Sequence, residues 1–201
     1  MRLMEKSKLV VASANRGKIK EIKELLPEFD VVGYKELGYE FDIEETGNTF
    51  YENALIKARA VFLKTGLPAL SDDSGLEVKA LSNAPGIYSA RYSKEGNDEG
   101  NIKKLLDELK DKTDRSARFT CCMVYYDGKR IVTETGTTEG EILLKKDGEH
   151  GFGYDPVFYS ADLKKSFGTA TEEEKNSVSH RGRAAEKMAK RLNAILWEKD
   201  R

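Results

Sequence analysis

Apolar side chains recur along this chain in two rhythms, and the changes between them lay out its elements. Residues 8–14 (KLVVASA) are an apolar run of strand length. Asn15-Arg16-Gly17 then leads into Ile19, Ile22, Leu25 and Leu26 at helical spacing, with Pro27 as the stop. A second strand is expected over 29–34, followed by a polar, acidic and irregular stretch over 35–46. Asn48 is placed to cap a long helix whose core face is Phe50, Leu55, Ala58, Val61 and Phe62, closed by Gly66 and Pro68. The pattern then gives a short strand over 67–70, a turn at Ser71-Asp72-Asp73-Ser74-Gly75 and another strand over 76–81, so it seats the acidic pair in a turn. Ile102, Leu105, Leu106 and Leu109 mark a helix over 97–110, and Asp127-Gly128 joins 115–126 to 129–137 as a hairpin. Residues 136–156 are glycine-rich and read as loop with room for a short strand, and a strand resumes at 157–159. Thr171 with Glu174 makes a capping box, and a last helix from near Ser179 buries Ala185, Met188, Leu192, Ile195 and Leu196. Helices and strands alternate early and a hairpin interrupts the middle, which predicts an α/β fold with a mixed sheet.

Composition narrows this only slightly. The 201 residues, 39% hydrophobic and 34% charged, suit one globular domain, and no stretch reaches membrane-span length. A formal net charge of −1 gives no broad attraction to nucleic acid or anionic membrane, so phosphate binding must come from local clusters. Cys121 and Cys122 are adjacent in a strand-like run, where pleating sends neighbours to opposite faces. Two buried thiols are expected, which fits a reducing, cytoplasmic compartment. With His150 and His180 far apart, a structural zinc site lacks its ligand spacing.

Four clusters hold candidate chemistry, and each also has an ordinary reading. Ser13, Asn15 and Lys18 stand where a strand enters a helix, so backbone N–H groups and the helix dipole favour an anion; a plain turn with a solvated lysine has the same residues. The glycine spacing of a Walker A loop is absent. Glu44-Glu45 and Asp72-Asp73 each precede a glycine, and two converging acidic loops would suit Mg²⁺, which prefers hard oxygen ligands; solvated surface acids look alike. In Gly151-Phe152-Gly153-Tyr154-Asp155-Pro156 an aromatic ring could stack on a base or pack in the core. Lys175 and Ser179-His180-Arg181-Gly182 place donors at helix ends, where capping is the alternative. Asn53 and Lys57 share a helix face, aimed at a phosphate or at solvent. In APGIYSARYS the tyrosines and Arg91 line a site, a subunit contact or a core.

In order, SANRGK, EETGNTFYENALIKA, LSDDSGLEV, APGIYSARYS, GFGYDPVF and EEKNSVSHRG cover nearly the whole chain. Together they resemble the inosine triphosphate pyrophosphatase family, enzymes that clear non-standard purine nucleoside triphosphates. The resemblance implies one pyrophosphatase domain over 1–201, an α/β fold with an elongated mixed sheet flanked by helices, two lobes with a central cleft, and a homodimer. It implies Mg²⁺, as one or more ions with Mn²⁺ as a substitute, bound by Glu45 and Asp73, with Asp73 also the proton acceptor. It implies substrate contacts from Ser13, Asn15, Lys18, Lys57 and Lys175, mostly to phosphate. Ser74, Phe152, Gly153, Tyr154, Asp155, His180 and Arg181 fall where the family holds the nucleotide and its base. ITP, dITP or XTP would yield a nucleoside monophosphate and pyrophosphate. A Maf-like pyrophosphatase of modified nucleotides and a nucleotide- or RNA-binding regulator without turnover are the competing readings, separated by a substrate panel.

Overall fold

In the computed structural model, described over residues 6–199 with side chains through 195, the first rhythm change becomes a parallel β-α-β start. Strand β1 (Lys8–Val11) pairs in parallel with β2 (Asp30–Gly33), Val10 opposite Val32. Helix α1 (Arg16–Leu25) connects them and buries Ile19 and Ile22. Its N-cap is Asn15, whose side chain accepts the Lys18 N–H at 3.1 Å.

Helix α2 (Phe50–Thr65) is capped by Thr49 and not by Asn48. The Thr49 hydroxyl accepts the Glu52 N–H, while the Asn48 N–H is itself bound by the Glu52 carboxylate at 2.6 Å. Its fully covered line is Asn53, Ala54, Lys57, Ala58 and Val61, so two polar residues replace part of the expected apolar face, and Phe50, Leu55 and Phe62 are half-buried. Gly66 ends the helix in the left-handed conformation, φ 69°.

The expected turn at residues 71–75 is absent. One strand, β3 (Ala69–Val78), runs straight through it, parallel to β1 and antiparallel to the short β4 (Ala84–Pro85). Acidic side chains argue for a solvated turn only while they lack partners, and here ammonium groups from α1 and α2 receive both carboxylates.

Helix α3 (Asp98–Glu108) follows with Asn97 as its cap. The hairpin forms from β5 (Ser116–Tyr126) and β6 (Ile131–Ile142), with the Asp127 carboxylate accepting the N–H groups of Lys129 and Arg130. Strand β6 extends past the expected end at 137 because β7 (Phe158–Ser160) pairs with it, Gly140 opposite Ser160 and Ile142 opposite Phe158. That partner lies outside any local window. Strand β8 (Lys165–Ser166), helix α4 (Glu172–Val178) with its Thr171/Glu174 capping box, and helix α5 (His180–Lys199) complete the chain. Along α5, Ala185, Met188 and Leu192 are buried and Ile195 is half-buried; the Leu196 side chain lies outside the described ones.

The mixed open sheet has the order β2-β1-β3-β5-β6-β7-β8, with β4 on β3. The chain divides into two compact units, the first Met1–Asp73, Cys122–Thr135 and Ala184–Arg201, the second Ser74–Cys121 and Gly136–Arg183. The first has a core around Val10, Ala54, Ala58, Val61 and Val124. The second has one around Leu76, Leu105, Phe119, Phe158 and Phe167, whose rings meet at 4.6 Å for Phe119 with Phe158 and 5.1 Å for Phe158 with Phe167. Both cysteines are buried thiols. No helix among the described residues is long and apolar enough to cross a membrane.

Candidate active site

The first unit gathers five charged groups. Strand β3 is covered on both faces, which leaves Asp72 fully buried and Asp73 5% exposed. Lys18, in the first turn of α1, reaches Asp72 at 3.2 Å. Lys57 projects from mid-α2 to Asp73 at 3.1 Å and to Glu45, in the irregular loop before that helix, at 2.8 Å. Asn53, one turn earlier, donates its amide to the other Asp73 oxygen at 3.3 Å. Four of the residues expected to act together, Lys18, Glu45, Lys57 and Asp73, are therefore joined through direct contacts and Asp72.

Three carboxylates and two ammonium groups are linked in this way, with Lys57 shared between Glu45 and Asp73. Burial pulls the Lys57 pKa down, but Asp73, Asp72 and Glu45 together outweigh it and raise the value, so Lys57 stays charged. At Asp73 burial has the larger say, and with help from Glu45 it lifts the carboxyl above its ordinary range against Lys57 and Lys18. A carboxyl moved toward neutrality is better matched to taking a proton at working pH.

Ser13 and Asn15 hold the turn before α1. The Ser13 hydroxyl accepts the Asn15 N–H at 3.1 Å, and Asn15 spends its side-chain oxygen on the cap. Both shape the helix start, with Lys18 as the group carried out of it.

The second unit gathers the others. Helix α4 sends Lys175 to Asp155 at 2.7 Å, both nearly covered. The same carboxylate oxygen accepts the Phe152 N–H at 2.9 Å. Gly151, at φ +77°, allows this, since a Cβ there would fall 2.0 Å from that oxygen. The half-buried Phe152 ring lies 4.8 Å from the Lys175 ammonium and 5.7 Å from the Arg181 guanidinium. Arg181, 1% exposed, donates to the Ser74 hydroxyl at 2.9 Å, and His180 stacks on Phe119 at 4.7 Å. Tyr154 goes to the core, 4% exposed, with its hydroxyl on the Ser89 carbonyl. Of the two aromatics only Phe152 keeps a face partly open.

Asp72, read as part of an acidic pair suited to a metal but left out of the expected ligands, is the partner of Lys18. One contact escaped the sequence reading. Asp98, at the start of α3, accepts the Gly153 N–H at 2.7 Å across 55 residues, and no local pattern marks it. With Glu99, Ile102, Lys146, His150 and Phe152 it lines a pocket of about 330 Å³.

Buried carboxylates and lysines meeting on one strand, inside an α/β fold with a mixed open sheet, mark the kind of site at which an enzyme does acid–base chemistry. The chain belongs to the Ham1 family, whose model matches residues 9–191, and this bears out the resemblance read from its motifs. It is 51% identical to a dITP/XTP pyrophosphatase of Treponema denticola, over 88% of this chain and 94% of that one. It is 47% identical to a dITP/XTP pyrophosphatase of Clostridium perfringens, over 94% and 98%. Among solved structures, the Staphylococcus aureus Ham1 protein matches with a TM-score of 0.84 and 43% identity, covering 94% of this chain and all of that one.

Proposed function

We infer that this protein hydrolyses non-standard purine nucleoside triphosphates such as dITP, ITP and XTP to the nucleoside monophosphate and pyrophosphate, removing deaminated bases from the nucleotide pool. The observation that carries the chemical half of this reading is the Asp73 centre, a buried carboxyl held by Lys57 beside Glu45. Relatives at about half identity and nearly full coverage, named for dITP and XTP, support the substrate class.

Mg²⁺ is the cofactor we propose, with Glu45 and Asp73 as its protein ligands and Mn²⁺ as a substitute. The donor set fits it: both proposed ligands are hard carboxylate oxygens, one from a loop and one from a strand, brought together at the same lysine. When bound, the ion would neutralise phosphate charge and lower the pKa of its water. Asp73 is the group we propose to accept the proton of the attacking water, held in place by Lys57 and Asn53. Lys18 and Lys57 are proposed to turn toward phosphate oxygens, and the helix start at Asn15 adds backbone dipole of the right sign.

In the second unit, Phe152 offers a ring face to the base, Ser74 and Gly153 contact the nucleotide, and Lys175 with Asp155 fixes the loop that carries Phe152. His180 and Arg181 are donors suited to a 6-oxo group. A 6-amino purine would leave such donors unpaired, and sites that read one hydrogen-bonding group reject its absence by roughly 10⁴-fold. We further propose a cytoplasmic homodimer. The deciding experiment is a pyrophosphate-release panel of ITP, dITP, XTP, dUTP, ATP and GTP, with and without Mg²⁺. Turnover confined to 6-oxo deaminated purines and dependent on the ion is expected; turnover of dUTP instead, or none at all, would overturn the reading.

A further inference from the structure

Helix α2 places an amide where its periodicity asks for an apolar side chain: Asn53 is fully buried among Ala54, Lys57, Ala58 and Val61. A buried amide needs a partner at each end. The Asn53 Oδ1 accepts the Gly47 N–H at 2.8 Å. An amide nitrogen could not accept that hydrogen, so the contact decides which end of the side chain is which. The Nδ2 end is thereby directed at Asp73 Oδ2, 3.3 Å away, while Lys57 takes Asp73 Oδ1 at 3.1 Å. The loop that carries Glu45 has a second tie to the same helix through the Asn48 N–H and Glu52. Gly47 is also the residue the approach demands, because a Cβ there would stand 2.6 Å from the Glu52 Cβ and 2.9 Å from the Asn53 backbone nitrogen.

We propose that Asn53 is a positioning residue for the hydrolysis, setting the spacing between the loop that carries Glu45 and the reacting carboxylate of Asp73; this rests on the role given to Asp73 above. One end of a single amide holds the loop and the other orients the carboxylate, so a shift of either is passed to the other. Lys57 supplies charge to both acids, but its flexible stem and rotating ammonium fix neither direction. The planar amide does.

Two variants separate the two ends. Asn53→Asp keeps an acceptor for Gly47 and sets a second carboxylate against Asp73 in place of the donor; Asn53→Ala loses both ends and adds no charge. Each is compared with wild type by steady-state kinetics on dITP and by amide hydrogen exchange at Gly47 in the nucleotide-free protein, with thermal melts confirming the fold. For Asn53→Asp we expect wild-type protection at Gly47, a KM within about threefold, and a kcat lower by about 10- to 100-fold, the range for losing a hydrogen bond to a charged group. For Asn53→Ala we expect a similar fall in kcat together with lost protection at Gly47. A kcat within about twofold of wild type in Asn53→Asp, or unchanged protection in Asn53→Ala, overturns the proposal. A wild-type protein without turnover overturns the functional reading and this proposal with it, whereas normal wild-type turnover beside an unaffected Asn53→Asp overturns this proposal alone.

Discussion

The two units each bury lysines against carboxylates, but they set the charge differently. Around β3 in the first, acids from a loop and a strand gather on lysines from two helices, with Lys57 shared between Glu45 and Asp73. In the second, Lys175 and a backbone N–H meet on one oxygen of Asp155, and an aromatic ring lies over the ammonium. Carboxylates gathered at one lysine can take up a cation or a proton, so the first arrangement suits chemistry. A carboxylate tied at once to a lysine and to the backbone of its own loop holds a shape, which is what recognition of a flat base needs.

The sharpest way to break this contrast is Asp73→Asn. We expect turnover to fall by about 10²- to 10⁴-fold, as when a proton-transferring carboxylate is lost, with no loss of thermal stability at neutral pH. A near-normal rate would remove Asp73 from the reaction. Next, Lys175→Met strands a buried carboxylate and should cost about 3–5 kcal/mol in denaturant unfolding, with Lys175→Met/Asp155→Leu recovering part of it. Equal stability in the single variant would mean that the pair is not the fixed element of its unit.

His180→Ala should narrow the preference for ITP over ATP by about 10- to 100-fold, the worth of a buried donor, while the melting temperature falls less than for Lys175→Met. An unchanged preference would move base reading elsewhere. A smaller effect is the pH dependence of stability. Because the folded-state pKa of Asp73 is raised, its contribution favours folding fully below the unfolded value and is lost as pH rises through the folded one. The stability of Asp73→Asn relative to wild type, measured in metal-free buffer, should therefore grow as pH climbs from below the ordinary carboxylate range of about 4 toward neutrality. A difference that shrinks over that interval would reverse the assignment. Smallest of all, Asp98→Ala removes one exposed contact to Gly153 and should raise KM only about two- to fivefold, with Asp98→Asn restoring it because the amide oxygen still accepts.

Helix starts at Asn97 and Thr171, the hairpin at Asp127-Gly128 and the apolar line of α1 are settled within a few residues, so the amino-acid order alone determined them. The ordered motifs likewise settled the family. What only the tertiary structure decided are features whose partners lie far along the chain. The sequence around Asp72 and Asp73 reads as a turn until Lys18 and Lys57 arrive, and 136–142 reads as loop until β7 supplies its pairing edge. Thr49 took the cap from Asn48 because Glu52 engaged the Asn48 backbone, and Tyr154 went inward because Ser89 offers a carbonyl to its hydroxyl. A local pattern records the preference of a backbone and the side on which a residue is covered. Whether a buried charge is tolerated depends on an opposite charge from elsewhere in the chain, and folding alone brings that to it.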